Sequence, residues 1–344
     1  MVTGRRSLRA SGALATISEA LESAGVRVAV FDQVEPEPKL DFVRAGIEAL
    51  RTEGCELVVA VGGGSALDVG KAIGGLAHAP GAVEDYYAGR EVLGPGVPVI
   101  AIPTTAGTGA EVTPNSVLSD PASGEKKSMR GSGLMPRVAL VDPQLTAGMG
   151  PRETAYTGID AFTQALESFI STGANAYSDP LALRAIELTG THLRAAVADG
   201  SSAEAREAMS LGSLLAGLAL ASARLGLVHG MAHPIGARYS IPHGLACGIL
   251  LPHVLRFNLP SAETKLALAA RALGIAEAHS AEELVGWVAQ LCEDVGVAPR
   301  LREFGATEAD VDGLVPPSVS AGSSKFNPRP VDAAAVREVL AAAI

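Results

Sequence analysis

Three of the chain's seven histidines lie within one stretch of eighteen residues, GLVHGMAHPIGARYSIPH. His229 and His233 are four residues apart, so they share one face if this segment is helical. The proline that follows disfavours helical geometry before it, which predicts His233 in the last turn of a helix. Further Gly and Pro residues permit a bend that brings His243 back towards the same point. Because neutral imidazole is the commonest metal ligand, the stretch indicates a metal or catalytic site.

A second pattern with the same spacing occurs in GIDAFTQALESF, where Asp160 and Gln164 are four residues apart. An Asp on a helix is often a cap or a surface charge. Here apolar residues surround it, and a carboxylate in such a place needs a partner. A divalent cation held by Asp160, His229 and His243 would satisfy all three side chains.

A glycine-rich turn in VAVGGGSALDVGKAI follows one strand pattern and opens a helix. Glycines 62–64 let the backbone approach a ligand, and the helix N-terminus offers N–H groups suited to pyrophosphate. The turn matches neither GxGxxG nor a Walker A loop, so a purely structural turn is the alternative. Asp68 and Lys71 in the following helix are compatible with a surface ion pair.

A polar loop, IPTTAGTGAEVTP, follows the next strand. Its hydroxyls come from Thr104, Thr105 and Thr108. The carboxyl end of a parallel strand is where α/β sheets bind ligands, although the loop could also be an ordinary connection.

The elements that position these residues change along the chain. The first part alternates helix patterns over 13–24 and 40–52 with apolar strands at 26–31 and in ELVVAV, VPVIAIP and RVALVD. Such alternation predicts a parallel sheet covered on both faces. Ala- and Leu-rich helical patterns dominate afterwards, so we expect an α/β domain over 1–150 and an all-helical domain over 151–344.

Composition excludes several classes of function. The net charge of −10 and the pI near 5.2 disfavour nucleic-acid binding. The three cysteines form no CxxC pair, which favours a reducing cytoplasm. No apolar segment typical of an export signal follows the N-terminal arginines. The longest uncharged apolar stretch has 16 residues, fewer than the ~20 that span a bilayer, so no membrane is expected.

Taken together and in order, GGGSALDVGKAI, PTTAGTGAE, GIDAFTQALE and GLVHGMAHPIGARYSIPHG resemble the iron-containing, or group III, alcohol dehydrogenases. The resemblance implies the dehydroquinate synthase-like fold of that family. It has a Rossmann-like dinucleotide-binding α/β domain, an all-α C-terminal domain and an active site in the cleft between them.

The resemblance also implies which residues hold the cofactor and the metal. By this resemblance, Gly63, Gly64 and Ser65 bind the pyrophosphate. Thr104, Thr105 and Thr108 border the adenine, ribose and nicotinamide, and Lys126 lies near the nicotinamide ribose. Asp68 is a further candidate for cofactor binding. Asp160, His229 and His243 match three ligands of a divalent metal, Fe²⁺ or Zn²⁺. His233 matches a histidine near the substrate that does not bind metal, and it could relay the alcohol proton to solvent.

One metal position departs from the family pattern, because Gln164 stands where a fourth ligand is usually a His. A neutral amide oxygen is a poorer ligand for a borderline metal than imidazole. The sequence therefore leaves three alternatives open: weaker metal binding, a water in that position, or a preference for zinc over iron.

A second departure concerns the cofactor. The family turn after the first strand often carries an Asp that repels a 2′-phosphate. Here VTGRRS has Gly4 in that place, followed by Arg5 and Arg6, and only the residues Met1 to Thr3 are left of that strand. An Arg beside the ribose can grip a 2′-phosphate, so NADP(H) is predicted over NAD(H). The alternative is that the arginines are solvated surface charges.

The sequence thus predicts an NAD(P)- and metal-dependent alcohol dehydrogenase or aldehyde reductase for a small alcohol or aldehyde. The alternatives are a maleylacetate reductase-like or dehydroquinate synthase-like enzyme on the same fold, or a metal-free cofactor-binding relative. The TTAGTGAE loop and the complete histidine spacing favour the first. A homo-oligomer is expected from the resemblance.

Overall fold

The structure, a computed structural model, describes residues 1–123, 125–275 and 280–344. It contains two compact units. The first comprises residues 1–105 and 109–148, and the second comprises residues 106–108 and 149–344.

The first unit combines a parallel sheet with helices. Its strands are β1 (Val2–Gly4), β2 (Phe31–Val34), β3 (Val58–Gly62), β4 (Val99–Pro103), β5 (Asn115–Ser119), β6 (Lys126–Arg130) and β7 (Val138–Ala139). Its helices are α1 (Ser7–Ala10), α2 (Ala13–Ser23), α3 (Leu40–Thr52), α4 (Gly64–Leu76) and α5 (Val83–Tyr87). Strands β2, β1, β3, β4 and β7 form the parallel sheet in that spatial order, and β5 pairs with β6 in an antiparallel hairpin.

Strand β3 and helix α4 form the core of this unit and hold the glycine turn. Every residue of β3 is buried, as expected for a strand covered on both faces. Helix α4 approaches the sheet so closely that a Cβ at Gly70 would lie 2.4 Å from the Cβ of Ala60. This close packing fixes the N-terminus of α4 at the carboxyl edge of the sheet.

Two strands differ from the sequence prediction. The strand expected over 26–31 lies at Phe31–Val34, because β1 pairs Val2 with Phe31 and Gly4 with Val34. The apolar residues before Phe31 precede this paired region. Near RVALVD the sheet contains only the two exposed residues of β7, at its edge.

The second unit is built from helices joined by loops, and no strand occurs among its described residues. Its helices are α6 (Pro151–Ile170), α7 (Ser178–Ala198), α8 (Ala203–Ala223), α9 (Leu227–Tyr239), α10 (His243–Ala272), α11 (Ser280–Asp294), α12 (Val311–Ser320) and α13 (Ala333–Ala343). The most buried of them, α6, packs against α7, α8 and α10. Asp332 caps α13 by accepting a hydrogen bond from the Ala335 amide at 2.8 Å. The sheet of the first unit and the helices of the second confirm the predicted fold class.

Helix α9 does not end near His233, as the sequence predicted, but continues through Pro234 to Tyr239. A proline inside a helix removes one hydrogen bond, here to the carbonyl four residues earlier. Met231 and Ile235 on either side are fully buried, and their packing offsets that loss. His233 therefore lies in the middle of the helix, while His243 begins the next one.

No single helix among the described residues is long and apolar enough to cross a membrane. Helices α8 and α9 are long and apolar enough only when taken together, and the chain bends by 105° between them.

Candidate metal centre and cofactor-binding site

Three helices of the second unit bring the predicted metal ligands together. Asp160 comes from the middle of α6, His229 from the first turn of α9 and His243 from the start of α10. The Oδ1 atom of Asp160 lies 3.3 Å from Nε2 of His229 and 3.6 Å from Nε2 of His243. The rings of the two histidines are tilted against each other, with centroids 5.4 Å apart.

A fourth donor at this point, Cys247, was missed by the sequence analysis. It lies one turn after His243 on α10 and is fully buried. Its Sγ is 3.7 Å from Oδ1 of Asp160 and 3.8 Å from Nε2 of His243. The donor atoms of Asp160, His229, His243 and Cys247, here called the four-donor cluster, all lie within 4.8 Å of one another. The signal in the sequence was the i, i+4 spacing of His243 and Cys247.

The sequence analysis also missed Glu167, a buried carboxylate behind His229. Its Oε2 lies 2.7 Å from Nδ1 of His229, and its Oε1 accepts a hydrogen bond from the Val228 amide at 2.6 Å. A carboxylate on the far nitrogen of an imidazole fixes the ring's orientation and raises its basicity as a ligand. Glu167 is seven residues after Asp160, so a helical repeat of two turns would have indicated it.

The buried charges shift each other's protonation. Burial alone would raise the pKa of Asp160, but the charge of His243 and the hydrogen bond from His229 lower it to about 2. Burial works against the charged form of His229, while its bonds to Asp160 and Glu167 raise its pKa to about 9. Burial and the two carboxylates raise the pKa of the Cys247 thiol. A cation at the cluster therefore competes with a proton on His229.

Gln164 lies beside this cluster. Its side chain is buried, and a hydrogen bond from it helps to lower the pKa of Asp160. Its Nε2 donates to the carbonyl of Gly107 at 3.2 Å, while its Oε1 has no hydrogen-bond partner among the described residues. The amide thus has an oxygen that remains available to a ligand or a water.

His233 stacks on His243, with ring centroids 4.8 Å apart and planes inclined by 22°. It is exposed, in contrast to His229, which is buried. The structure therefore places one histidine of the stretch in a buried network, one at the cluster edge and one in contact with solvent.

In the first unit, the glycine turn lines a cavity of about 640 Å³. Gly62 has a φ of 151° and a Cβ there would lie 2.7 Å from the Cβ of Ala66, so this position requires glycine. The first-turn amides of α4 have no intrahelical acceptor. Five of the predicted cofactor residues border this cavity, namely Gly4, Arg5, Gly63, Gly64 and Ser65.

The threonine loop reaches the same turn. The Thr104 amide donates to the carbonyl of Gly62 at 3.0 Å, and a Cβ at Gly63 would lie 3.3 Å from Cγ2 of Thr105. Thr104 and Thr105 are therefore next to the glycine turn. Thr108 belongs to the second compact unit and is exposed.

Two predicted cofactor residues, Asp68 and Lys126, have partners within the protein. Asp68 pairs with the fully buried Lys71, whose Nζ lies 2.8 Å from Oδ1 of Asp68 and 2.9 Å from the carbonyl of Ala110. The other carboxylate oxygen of Asp68 accepts the Val117 amide at 3.0 Å, so this pair joins α4 to β5 and is not a surface ion pair. Lys126 pairs with Glu37 at 2.7 Å.

Arg5 differs from the expectation in one respect, because it has an acidic partner within the protein. Nη1 of Arg5 lies 2.7 Å from Oε1 of Glu35, an acidic residue that also borders the cavity. The register of β1 and β2, which pairs Gly4 with Val34, places these two residues side by side. A Cβ at Gly4 would contact nothing closer than the Val34 carbonyl oxygen at 3.6 Å, so a larger residue fits there.

Comparison with known proteins gives one consistent family. The model for iron-containing alcohol dehydrogenases matches residues 1–143, and the model for the C-terminal part of the Fe-containing alcohol dehydrogenase family matches residues 154–344. The chain is 40% identical over 331 residues to a 1,3-propanediol dehydrogenase of Klebsiella pneumoniae, covering 95% of this chain and 85% of the relative.

Solved structures agree with this result. A crystal structure of a 1,3-propanediol oxidoreductase has a TM-score of 0.95 and 39% identity, covering 100% of this chain and 91% of the other. A sulfoacetaldehyde reductase from Bifidobacterium kashiwanohense in complex with NAD⁺ has a TM-score of 0.93 and 34% identity, covering 100% and 90%. The chain therefore belongs to the iron-containing alcohol dehydrogenase family, and it is an oxidoreductase of the CH–OH group.

Proposed function

We propose that this chain is an NAD(P)-dependent alcohol dehydrogenase or aldehyde reductase that needs one divalent metal and acts on a small alcohol or aldehyde. The observation that carries the proposal is the convergence of Asp160, His229 and His243, whose donor atoms lie within 4.8 Å of one another in the helical unit. The relatives described above are named for a small diol or a small aldehyde, which supports the substrate class.

The residues present fit a divalent cation. A carboxylate and two imidazoles are the donor types of catalytic zinc and iron sites, and the buried Oε1 of Gln164 adds a neutral donor nearby. When bound, the cation supplies Lewis-acid polarisation of a carbonyl or alkoxide oxygen, and the nicotinamide supplies the hydride. Glu167 orients His229, and Asp160 offers a carboxylate that is already ionised at neutral pH.

His233 fits the role of proton carrier. It is exposed and stacks on His243, so its imidazole can exchange protons with solvent next to the proposed metal centre. In aldehyde reduction it would deliver the proton that the product alkoxide needs, and in alcohol oxidation it would accept that proton.

For the cofactor we propose the glycine turn as the pyrophosphate site and a preference for NADP(H) over NAD(H). Gly63, Gly64 and Ser65 border the same cavity as Gly4 and Arg5. The missing carboxylate at position 4 and the adjacent guanidinium favour a 2′-phosphate. Glu35 works against this preference because its carboxylate forms a salt bridge with Arg5 and so competes with a 2′-phosphate for the guanidinium. We further propose that Thr104 and Thr105 border the cofactor.

We also propose a homo-oligomer in a reducing cytoplasm. Val138 in the edge strand β7 and Leu140 directly after it are about half exposed, and apolar side chains at a sheet edge favour pairing with another chain. Cys55, Cys247 and Cys292 are free thiols. A monomer by light scattering at micromolar concentration would contradict the assembly.

The decisive experiment measures metal content and activity on one preparation. We expect about one divalent metal per chain and faster oxidation of NADPH than of NADH with a panel of small aldehydes. Removal of the metal with a chelator should abolish the rate, and addition of Zn²⁺ or Fe²⁺ should restore it. Undiminished aldehyde reduction by the metal-free protein would refute the metal dependence.

A further inference from the structure

The candidate metal centre of this chain departs from the pattern that the resemblance implies at one place, and a further donor lies close to it on another helix. Gln164 on α6 stands where a fourth imidazole is usual, and Cys247 on α10 adds a thiol to the cluster. The loss of one strong donor thus coincides with the presence of another within reach of the same point.

We propose that Cys247 binds the metal through its sulfur in place of the missing imidazole, which makes this an Asp–His–His–Cys centre that selects Zn²⁺ over Fe²⁺. The inference deepens the metal dependence proposed above and rests on it. With these four protein ligands, the substrate oxygen would be the fifth ligand, and catalytic zinc sites can be five-coordinate.

The distances between the donor atoms support this assignment. Two ligands at zinc bond lengths of about 2.0–2.3 Å in a tetrahedral arrangement lie about 3.3–3.8 Å apart. The distances from Asp160 Oδ1 to the two imidazoles are 3.3 and 3.6 Å, and its distance to Sγ of Cys247 is 3.7 Å. Sγ is also 3.8 Å from Nε2 of His243. The sulfur is slightly farther from Asp160 than the nitrogen donors are, as expected for its longer bond to zinc.

Gln164 is the weaker candidate for the fourth position. Its Nε2 is engaged with the Gly107 carbonyl, and its Oε1 is a neutral oxygen. Thiolate sulfur favours zinc among the divalent first-row metals, whereas neutral amide oxygen suits harder cations. Binding requires that the thiol release its proton to solvent and that the sulfur lone pair bond the cation, with no change of oxidation state.

Cobalt(II) provides a direct test, because thiolate coordination gives it a near-ultraviolet charge-transfer band besides its visible ligand-field bands. We expect metal-free protein with one equivalent of Co²⁺ to show both sets of bands. Cys247→Ser should lose the charge-transfer band and keep the ligand-field bands. Cys292→Ser, a buried cysteine outside the cluster, is the matched control and should keep both.

A second measurement needs no variant. X-ray absorption of the zinc-loaded protein should show one sulfur neighbour at about 2.3 Å. In competition between Zn²⁺ and Fe²⁺ without oxygen, Cys247→Ser should lower the preference for zinc by about tenfold or more, since even outer partners of a ligand change affinity by about 10–100-fold. Adding Gln164→His to Cys247→Ser should restore tight metal binding.

The possible results separate this inference from the proposed function. Cobalt bound with ligand-field bands alone, or zinc without a sulfur neighbour, would exclude Cys247 as a ligand and leave the metal dependence intact. A protein that binds neither Co²⁺ nor Zn²⁺ would overturn both. A charge-transfer band that survives in Cys247→Ser would assign the sulfur to another cysteine and also refute the inference.

Discussion

The four-donor cluster and the Arg5–Glu35 pair are two charged regions of this molecule that are built differently. In the cluster, Asp160 and His229 are buried, and His229 contacts both Asp160 and Glu167, so neighbouring charges set the protonation of these groups. The side chains of Arg5 and Glu35 are 57% and 38% exposed, so water screens their attraction. The buried charges of the cluster therefore interact strongly and have fixed partners. The exposed Arg5–Glu35 pair interacts weakly, and its side chains can change partners.

This difference predicts where substitutions have large effects. Removing one member of a buried network leaves the others without their partners, which costs far more than the loss of one exposed pair. We therefore expect all-or-none effects on metal binding in the helical unit and graded effects on cofactor choice in the α/β unit.

The largest expected effect is the loss of both metal and activity in Asp160→Ala or His243→Ala. Removing one ligand leaves an incomplete shell that outer residues cannot replace. Metal content by mass spectrometry and aldehyde reduction should fall together. His192→Ala is the control and should keep both, because among the described residues the His192 ring has a single hydrogen-bond partner, the Leu188 carbonyl of its own helix. If Asp160→Ala keeps its metal and its rate, the site assignment is wrong.

A smaller effect is expected from Glu167→Gln. The amide keeps the shape but loses the charge that orients and polarises His229, so metal affinity should fall by about 10–100-fold. Activity at saturating metal should recover substantially, which distinguishes positioning from direct participation. Glu187→Gln, in an exposed pair with Arg184, is the matched control and should behave as the unmutated protein. An unchanged metal affinity in Glu167→Gln would show that the contact carries no weight.

Much of the helical site could be predicted because its residues follow helical spacing. Asp160, His229 and His243 were predicted as metal ligands from their spacing, the Gly and Pro residues between the histidines and the family resemblance. Cys247 and Glu167 lie one and two turns from recognised residues, yet they fall outside the motif, and a buried Cys is ordinarily a core residue. Their role depends on how three helices pack, which spacing along one helix does not determine.

In the α/β unit, the features that depend on strand pairing could not be predicted from the sequence. The glycine turn and its flanking strand and helix were predicted from local pattern alone. The Arg5–Glu35 contact was not, because it depends on the register that pairs Gly4 with Val34. The hairpin β5–β6 was also missed. In β5 the buried residues Ser116 and Leu118 alternate with half-buried ones, but Ser116 is polar, so the sequence shows no alternation of apolar and polar residues. Long-range pairing, unlike helical spacing, leaves little trace in a single sequence.

In the exposed region, Gly4→Asp should reverse the cofactor preference. The new carboxylate fits the space around Gly4 and would repel a 2′-phosphate while accepting hydrogen bonds from an unmodified ribose. A charge-assisted contact of about 1.5–3 kcal/mol corresponds to roughly a ten- to hundredfold change in kcat/KM for NADPH relative to NADH. Ser11→Asp adds the same charge outside the cavity lining and should change nothing. An NADH preference in the unmutated protein would refute this interpretation of the turn.

The smallest effect, and the most informative about the comparison, is expected from Glu35→Gln. Glu35 competes with a 2′-phosphate for Arg5 and adds a negative charge to the cavity. Removing that charge should strengthen NADPH binding and leave NADH almost unchanged. Exposed pairs contribute about 0.2–1 kcal/mol, so the KM ratio of the two cofactors should shift by about 1.4- to fivefold, and less at high salt. Arg5→Ala should shift the ratio in the opposite direction. If Glu35→Gln weakened NADH instead, the carboxylate would be a ribose ligand, and the region would be as specifically built as the metal centre.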